Sequence, residues 1–508
     1  MTCRGRVDVY SHGFRVSGYR YELIPRLARF AESFTKMEFE RLPGGRVEKR
    51  PGDFFGGVSD GQTEYWFHRN VLPEFKRYMT DCGYSDHALI YAFHDVPKGE
   101  ASSLVMREHF KPLDYQVPIV DFLVEPGKSI RVATMQTGKG KTKTSLFAAA
   151  KIGEKFAVVV PAMYADMWYT ELETVFHHKR GDILLIKGLK ALKAALLTKA
   201  SGENHASAYV ITSTTIMLLI KAYESNPKFA EETVCRPEEL YALLGLGYRV
   251  IDEVHKNSAL NFKMDCYTNI TKAVYLSATL DANEAFLRRM RQIAYPMNDR
   301  YDGLEYDRYI NVVGLAYHAD EPRKIRCKGY KGAYSHVVFE QWLMKNKRSL
   351  EKYMTFLDEI VLRKYIQVRE PGQRCLVFAS SVDFCTLYMK RLRAKYPQLK
   401  IGRYTQEDVY DDMLTNDITV STVLSAGTGV DIPGLRIAIM SNSMDSPSAN
   451  EQVKGRLRRL KDWPDVNPEF YYIFCSDIPK HVDYHNRKMD YFKGKCLSHL
   501  VYNSGYSI

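Results

Sequence analysis

The segment 131-RVATMQTGKGKTKTSLFAAA-150 decides how the rest of the chain is read. It opens on a short apolar run, Arg131–Met135, passes through Gln136-Thr137-Gly138-Lys139-Gly140-Lys141-Thr142, and continues as an alanine-rich stretch to Ala150. A strand, a glycine turn, then a lysine and a hydroxyl opening a helix is the order that a phosphate loop requires. Gly138 and Gly140 let backbone N–H groups approach phosphate oxygens, and the helix N-terminus adds its partial positive charge. In such a loop Lys141 reaches the β- and γ-phosphates of ATP, Thr142 helps to hold Mg2+, and Thr137 and Lys139 complete the cradle. Met135 stands where the strict pattern has its first glycine. A lysine-rich surface turn is the alternative reading.

Outward from this segment, short apolar runs alternate with longer amphipathic stretches. The runs are Arg131–Met135, Ala157–Val160, Ala208–Thr212, Arg249–Ile251 and Ala273–Leu276, and later Cys375–Phe378, Ile418–Thr422, Arg436–Met440 and Tyr471–Phe474. Unalternating runs of this length suit strands buried on both faces of a parallel sheet, and the helical material between them implies βαβ crossovers. The two series predict two α/β lobes. Between them lies a basic, tyrosine-rich connector from about Asn298 to Val368, and before them a small α+β domain with strand-like pieces at Arg6–Tyr10 and Ala88–Phe93 and a helix around Tyr21–Thr35. No internal repeat is visible. The predicted boundaries are 1–108 for the N-terminal accessory domain, 109–300 for the first lobe, 301–480 for connector and second lobe, and 481–508 for a C-terminal helix and tail.

Ligands of open α/β sheets bind beyond the carboxyl ends of the strands. The run Arg249–Ile251 ends in Asp252-Glu253-Val254-His255. A carboxylate pair at a strand end beside a phosphate loop has a definite use: Asp252 holds Mg2+, mostly through water, and Glu253 orients and deprotonates the attacking water. A solvated turn is the alternative for an isolated Asp-Glu pair.

With DEVH in place the chain resembles the DExH-box helicases of superfamily 2, and further motifs follow in that family's order. Val158-Val159-Val160-Pro161 with Trp168 downstream, Ile211-Thr212-Ser213, Ser277-Ala278-Thr279 and Leu376–Ser380 are similar to four of them. Thr422 with Gly427-Thr428-Gly429-Val430-Asp431, and Gln452-Val453-Lys454-Gly455-Arg456-Leu457-Arg458-Arg459, complete the series. The resemblance implies two tandem RecA-like lobes with ATP between them. It also implies Gly429 and Asp431 at the nucleotide, and His255, Ser277 and Thr279 coupling hydrolysis to strand movement. Thr212 and Thr422 are implied contacts to the nucleic-acid backbone. Gln452, Arg456 and Arg459 are implied catalytic residues, the two arginines acting as fingers; three residues apart, they are expected on one helical face. Gln116, a little over twenty residues before Gly138, takes the place of a glutamine that reads the adenine edge, although Leu113-Asp114 stands where the usual neighbouring arginine would be.

The order of domains looks most like that of phage UvsW-type recombination and branch-migration helicases, with looser likeness at His68–Tyr91 and Tyr484–Lys495. That likeness implies a DNA-remodelling ATPase acting on branched DNA or R-loops, using ATP and Mg2+, as a monomer with partners in replication or recombination, in the host cytoplasm. DNA is the favoured partner and RNA the second. A DExH RNA helicase is the first alternative and a non-hydrolysing nucleic-acid clamp the second. The clamp requires a missing Lys141, Glu253 or finger, and all are present. Val254-His255 stands where a DEAD-box enzyme carries Ala-Asp, and no nuclease constellation accompanies the motor.

The totals agree with these readings. A net charge of +12 and a pI near 9.0 favour a polyanionic partner. The nine cysteines, from Cys3 to Cys496, include no CxxC pair, which argues against a zinc ribbon and gives no sign of a disulfide framework. No apolar stretch is long enough for a membrane span, and the N-terminus has no signal-peptide core. The basic stretches Lys390–Lys395 and Arg323–Lys331 are further candidates for backbone binding.

Overall fold

The computed structural model describes residues 5–41, 47–84, 89–226, 235–278, 280, 282, 284–301, 306–329, 332–405, 408, 410–426, 432–444, 450 and 453–508. The chain divides into two compact units, Met1–Met135 with Lys139–Leu304, and Glu305–Ile508 with Gln136–Gly138.

The first unit begins with a five-stranded sheet. Its strands are β1 (Arg6–Val9), β2 (Gly13–Ser17), β3 (Gly57–Val58), β4 (Glu64–His68) and β5 (Ile90–Phe93), in the order β3-β4-β2-β1-β5. Only β1 and β5 run parallel. Two helices cover it, α1 (Ile24–Glu32) and α2 (Leu72–Asp81). Each opens with a proline in its first turn, where the missing N–H costs nothing. Leu72, Phe75 and Met79 of α2 fall on one buried stripe.

A seven-stranded sheet follows: β6 (Ile130–Thr134), β7 (Phe156–Val160), β8 (Ile183–Ile186), β9 (Ala208–Thr212), β10 (Tyr248–Ile251), β11 (Lys272–Ser277) and β12 (Arg300–Tyr301). All pairings are parallel, in the order β8-β9-β7-β10-β11-β6-β12. Both faces are buried, which is why β7 and β9 read as unbroken apolar runs. One face packs with the core of the N-terminal sheet. Phe55 meets Phe262 of α5 (Ser258–Cys266) edge-on at 5.5 Å, and Trp66 lies 4.4 Å from Tyr267. The backbones approach so closely that a Cβ on Gly13 would stand 1.9 Å from the carbonyl oxygen of Cys266. The N-terminal domain therefore shares its core with the first lobe. Among the described residues the two form one continuous hydrophobic cluster.

The second unit repeats the plan. Its strands are β13 (Asn311–His318), β14 (Arg374–Ala379), β15 (Ile401–Tyr404), β16 (Ile418–Thr422), β17 (Leu435–Met440), β18 (Glu469–Cys475) and β19 (Ser498–Ser507). They are parallel in the order β15-β16-β14-β17-β18-β13-β19. Strand for strand this is the order of the first sheet, a structural repeat that leaves no trace in the sequence. The fold is thus α/β, two tandem RecA-like lobes with a small α+β N-terminal domain.

Two parts of the sequence reading change here. The stretch taken as connector contains β13, the second strand from one edge. The residues taken as a helix and tail end in β19, a ten-residue edge strand after the helix Pro479–Phe492. The stretch Lys390–Lys395 also loses part of its availability, because Arg391 is paired with Glu351 and Asp358, and Lys395 with Asp358.

Glu340 of α6 (His336–Lys345) fastens this second core. Fully buried, its carboxylate accepts from the backbone N–H groups of Ser380 and Ser381, both at 2.7 Å, and from the Ser381 hydroxyl at 2.5 Å. Burial outweighs these donors and raises its pKa from 4.5 to about 7. The folded protein then keeps a proton that the unfolded chain releases between those values. Stability is full below pH 4.5 and falls as pH rises through 7, by about 3 kcal/mol. Hydrogen exchange of peptides from α6 and β14 should show this loss between pH 5 and 8, and Glu340→Gln should flatten it. Parallel slopes in the two proteins would count against it.

Candidate active site

The loop between β6 and α3 (Lys141–Ile152) turns on two left-handed glycines, Gly138 (φ 91°) and Gly140 (φ 72°). Gly140 is doubly constrained, since a Cβ there would lie 2.8 Å from Gln116 Nε2. Lys141 and Thr142 then occupy the first turn of the helix. Lys141 is buried, its Nζ 3.5 Å from Glu253 Oε1 and without a hydrogen-bond partner among the described residues. A buried ammonium short of acceptors at a helix N-terminus has the right chemistry for phosphate oxygens.

The carboxylates come from the end of β10. Asp252 Oδ1 accepts from the N–H of Glu253 at 2.8 Å, and Oδ2 from Trp168 Nε1 at 3.2 Å. Trp168 sits on α4 (Ala162–Val175), and sequence reasoning placed it in a motif without seeing its task, which is to fix the Asp252 carboxylate. Glu253 adopts φ 51°, a left-handed conformation costing about 1 kcal/mol or more for a residue with a side chain. It turns the chain sharply after the strand, and the next N–H, of Val254, bonds to Leu276 O of β11 at 3.1 Å. Asn261 holds the far side of the turn through Val254 O and Lys256 O.

His255 Nδ1 lies 3.3 Å from Glu253 Oε2 and 2.9 Å from Ser277 Oγ at the end of β11. Lys141, Glu253, His255 and Ser277 thus form one contiguous chain of polar groups, with Asp252 beside it. Burial and the neighbouring Glu253 charge raise the Asp252 pKa to about 6. Burial acts the same way on Glu253, but Lys141, His255 and Lys256 overcome it and hold that carboxyl below its ordinary value. Burial, with Lys141 and Lys256 nearby, depresses His255 to about 4 despite the Glu253 charge. At neutral pH Glu253 is therefore ionised and His255 neutral.

Other expected site residues stand differently. Gln116 is buried, and both ends of its amide are used within the protein: Nε2 donates to Thr144 Oγ1 at 2.9 Å and Oε1 accepts from Leu113 N at 2.9 Å. It braces the phosphate loop instead of offering a free edge. Tyr115 adds a second brace, its hydroxyl donating to Lys139 O at 3.2 Å. Thr212 and Thr422 end the equivalent strands β9 and β16, and both are buried. The Thr212 hydroxyl meets that of Thr215 at 2.7 Å, and the Thr422 hydroxyl meets that of Ser425 at 2.9 Å. As placed, both hydroxyls serve the helices that follow and do not face solvent.

In the second unit Arg456 and Arg459 do not share a helical face. Helical residues stop at Lys454, Gly455-Arg456 form a turn, and the chain is irregular from Leu457. Gly455 at this point favours the turn over another helical residue. Arg456 is buried, whereas Arg459 is largely exposed and pairs with Asp307 at 2.6 Å. Thr279, Gly429, Asp431 and Gln452 lie outside the described residues.

Residues 109–282, the strands β6 to β11 with their helices, match the family model described as type III restriction enzyme, res subunit. The match supports a helicase-type ATPase of superfamily 2. Among curated proteins, the chain is 22% identical over 372 residues to transcript termination protein A18 of cowpox virus (strain Brighton Red). It is 23% identical over 365 residues to the protein of the same name from vaccinia virus (strain Tian Tan). Each alignment covers 68% of this chain and 66% of the relative, just under two thirds of its length. Among solved structures, the Pyrococcus furiosus Hef helicase domain aligns at a TM-score of 0.46 and 13% identity, over 76% of this chain and all of that one. Mss116p bound to single-stranded RNA and AMP-PNP aligns at 0.47 and 15%, over 81% and 82%. At these scores the fold assignment rests on the sheet topology alone. No helix among the described residues is long and apolar enough to cross a membrane.

Proposed function

We propose that this protein is an ATP-driven nucleic-acid motor that hydrolyses ATP at the Lys141–Glu253 centre and uses the cycle to remodel or unwind branched DNA or R-loops. The observation that carries the proposal is the buried Lys141 ammonium, ion-paired with Glu253 at 3.5 Å but without a hydrogen-bond partner among the described residues, beyond the carboxyl ends of a parallel sheet. Lys141 and the N–H groups from Thr137 to Thr142 bind the phosphates. Thr142 and Asp252 hold Mg2+, which when bound supplies positive charge against the phosphate oxygens. Glu253 orients the attacking water and takes its proton. His255 and Ser277, in line behind Glu253, with Thr279 two residues further along the sequence, pass the loss of that charge to β11. In this reading Gly429, Asp431, Gln452, Arg456 and Arg459 also act on the nucleotide. Arg459 exchanges Asp307 for phosphate, and fingers of this type contribute about 10³- to 10⁵-fold in rate.

Gln116 acts through the loop it braces. Gln116→Ala removes the donor to Thr144 and opens space beside Gly140. It is expected to raise the KM for ATP about tenfold with a smaller change in kcat. An unchanged KM would assign the residue to packing.

The nucleic acid is DNA in the favoured reading, with residues 1–108 as the accessory domain that recognises its structure. The poxvirus relatives are named for transcript termination, which favours a second reading in which RNA, alone or hybridised to DNA, is the strand acted upon. ATPase rates without nucleic acid, then with single-stranded DNA, branched DNA, an RNA–DNA hybrid and RNA, separate the two. Stimulation greatest with branched DNA supports the first reading, and stimulation by RNA or hybrid alone supports the second. Hydrolysis that no nucleic acid stimulates would sink both.

A further inference from the structure

A cavity of about 520 Å3 opens between the N-terminal sheet and the segment around Arg236–Glu239 of the first lobe. It lies apart from the residues that serve ATP. Its walls carry an aromatic ladder: His94 stacks on Tyr10 at 4.7 Å with 14° between planes, and Tyr10 on Trp66 at 5.8 Å with 18°. The His94 side chain is 37% exposed, so the ladder ends on an accessible ring. Asp8, buried beneath it, fixes that ring through His94 Nε2 at 2.7 Å and also accepts from Arg6 at 2.8 Å and Arg15 at 3.0 Å. Glu238 is buried in the wall, one carboxylate oxygen 3.8 Å from Arg15 Nη1 and the other without a hydrogen-bond partner. Arg6 and Arg236 stand exposed among the lining residues.

We propose that this cavity binds a guanine nucleotide, its base stacked on His94, its Watson–Crick edge toward Glu238 and its phosphate between Arg6 and Arg236. Burial raises the Glu238 pKa to about 7, so above that pH the carboxylate is ionised and only accepts hydrogen bonds. Of the common bases, guanine alone presents two adjacent N–H donors, at N1 and N2, on that edge. Adenine and cytosine place an acceptor beside their donor, and thymine and uracil offer one donor between two acceptors. A ring already backed by two others is a ready stacking surface for a base, and two guanidinium groups suit one phosphate. The nucleotide belongs either to an unpaired stretch of a bound strand, which rests on the motor reading above, or to a free guanine nucleotide.

Fluorescence anisotropy without ATP at pH 8, where Glu238 is ionised, tests this on the full chain, using labelled oligothymidylate with and without a central guanine and guanosine monophosphate as competitor. The guanine-bearing strand is expected to bind about tenfold tighter. Glu238→Gln, which places an N–H2 against the guanine donors, should erase that difference, and His94→Ala should reduce it several-fold. Binding of guanosine monophosphate without any preference between strands assigns the cavity to the free nucleotide. No preference together with no binding of the monophosphate overturns the proposal. ATP hydrolysis stimulated by oligothymidylate is read on the same proteins. Its absence in the unmutated chain, together with no stimulation by branched DNA, RNA or an RNA–DNA hybrid, speaks against the motor and leaves the base preference to stand or fall by itself.

Discussion

Glu253→Gln is expected to lower ATP turnover by about 10³-fold while leaving ATP binding intact or slightly tighter. The amide keeps the size of the side chain but cannot accept a proton from water, and a positioned general base is worth roughly 10²- to 10⁴-fold. Removing the charge 3.5 Å from Lys141 Nζ also frees that ammonium for phosphate, which is why affinity should not fall. Lys141→Ala makes the contrast, because it removes the phosphate anchor and should weaken ATP binding along with turnover. Steady-state hydrolysis and titration with a fluorescent ATP analogue measure both quantities. Turnover within tenfold of the unmutated protein would mean that another group serves as base.

The second large effect concerns stability. Arg249, in the strand that delivers Asp252 and Glu253, is fully buried. It donates to Asp265 at 2.6 Å, Thr268 at 2.7 Å and Tyr275 at 2.9 Å, while Tyr275 also donates to Asp265 at 2.8 Å. Asp265→Ala leaves the guanidinium without its counter-charge in the interior, and breaking such a pair costs about 3–5 kcal/mol. Thermal unfolding should show the first unit losing most of its stability, and ATP hydrolysis should fall with it because β10 loses its anchor. Asp265→Asn, which keeps an acceptor, should cost clearly less. Equal losses in the two variants would mean that the charge pairing is unimportant.

How much of this could be read from the sequence follows from how each strand is buried. β7, β9, β10 and β11 are covered on both faces, so apolar residues dominate each run and make it obvious, despite Arg249 in β10 and Lys272 at the start of β11. The edge strands β8, β15 and β19 are covered less. Leu500, Val501 and Tyr502 of β19 are all substantially exposed, and no run marks them. β13 was hidden differently, by Gly314 and by tyrosine-rich surroundings that read as linker. At the site, the order of motifs singled out Lys141, Glu253, His255 and Ser277, which the fold brings together as one chain of polar groups. It could not show that Trp168 holds Asp252, since that contact spans 84 positions. Nor could it show that Gln116 spends both ends of its amide internally. The helical spacing of Arg456 and Arg459 misled because spacing describes a helix only where one exists, and Gly455 ends this one.

The core shared by the N-terminal sheet and the first lobe has a consequence for how the chain is made. The residues of β1 to β5 leave the ribosome early, but the surfaces that complete their core, Phe262 and Tyr267 among them, arrive much later. Ser11, whose N–H bonds to Asn269 Oδ1 at 3.1 Å, waits for a partner 258 positions downstream. At ordinary elongation rates of about 5–20 residues per second that delay is on the order of ten seconds or more. During it the apolar face of the nascent domain is open, a natural point of engagement for chaperones. Closure of that face, and not synthesis of the first hundred residues, marks the moment when the amino-terminal part of the protein acquires its finished form.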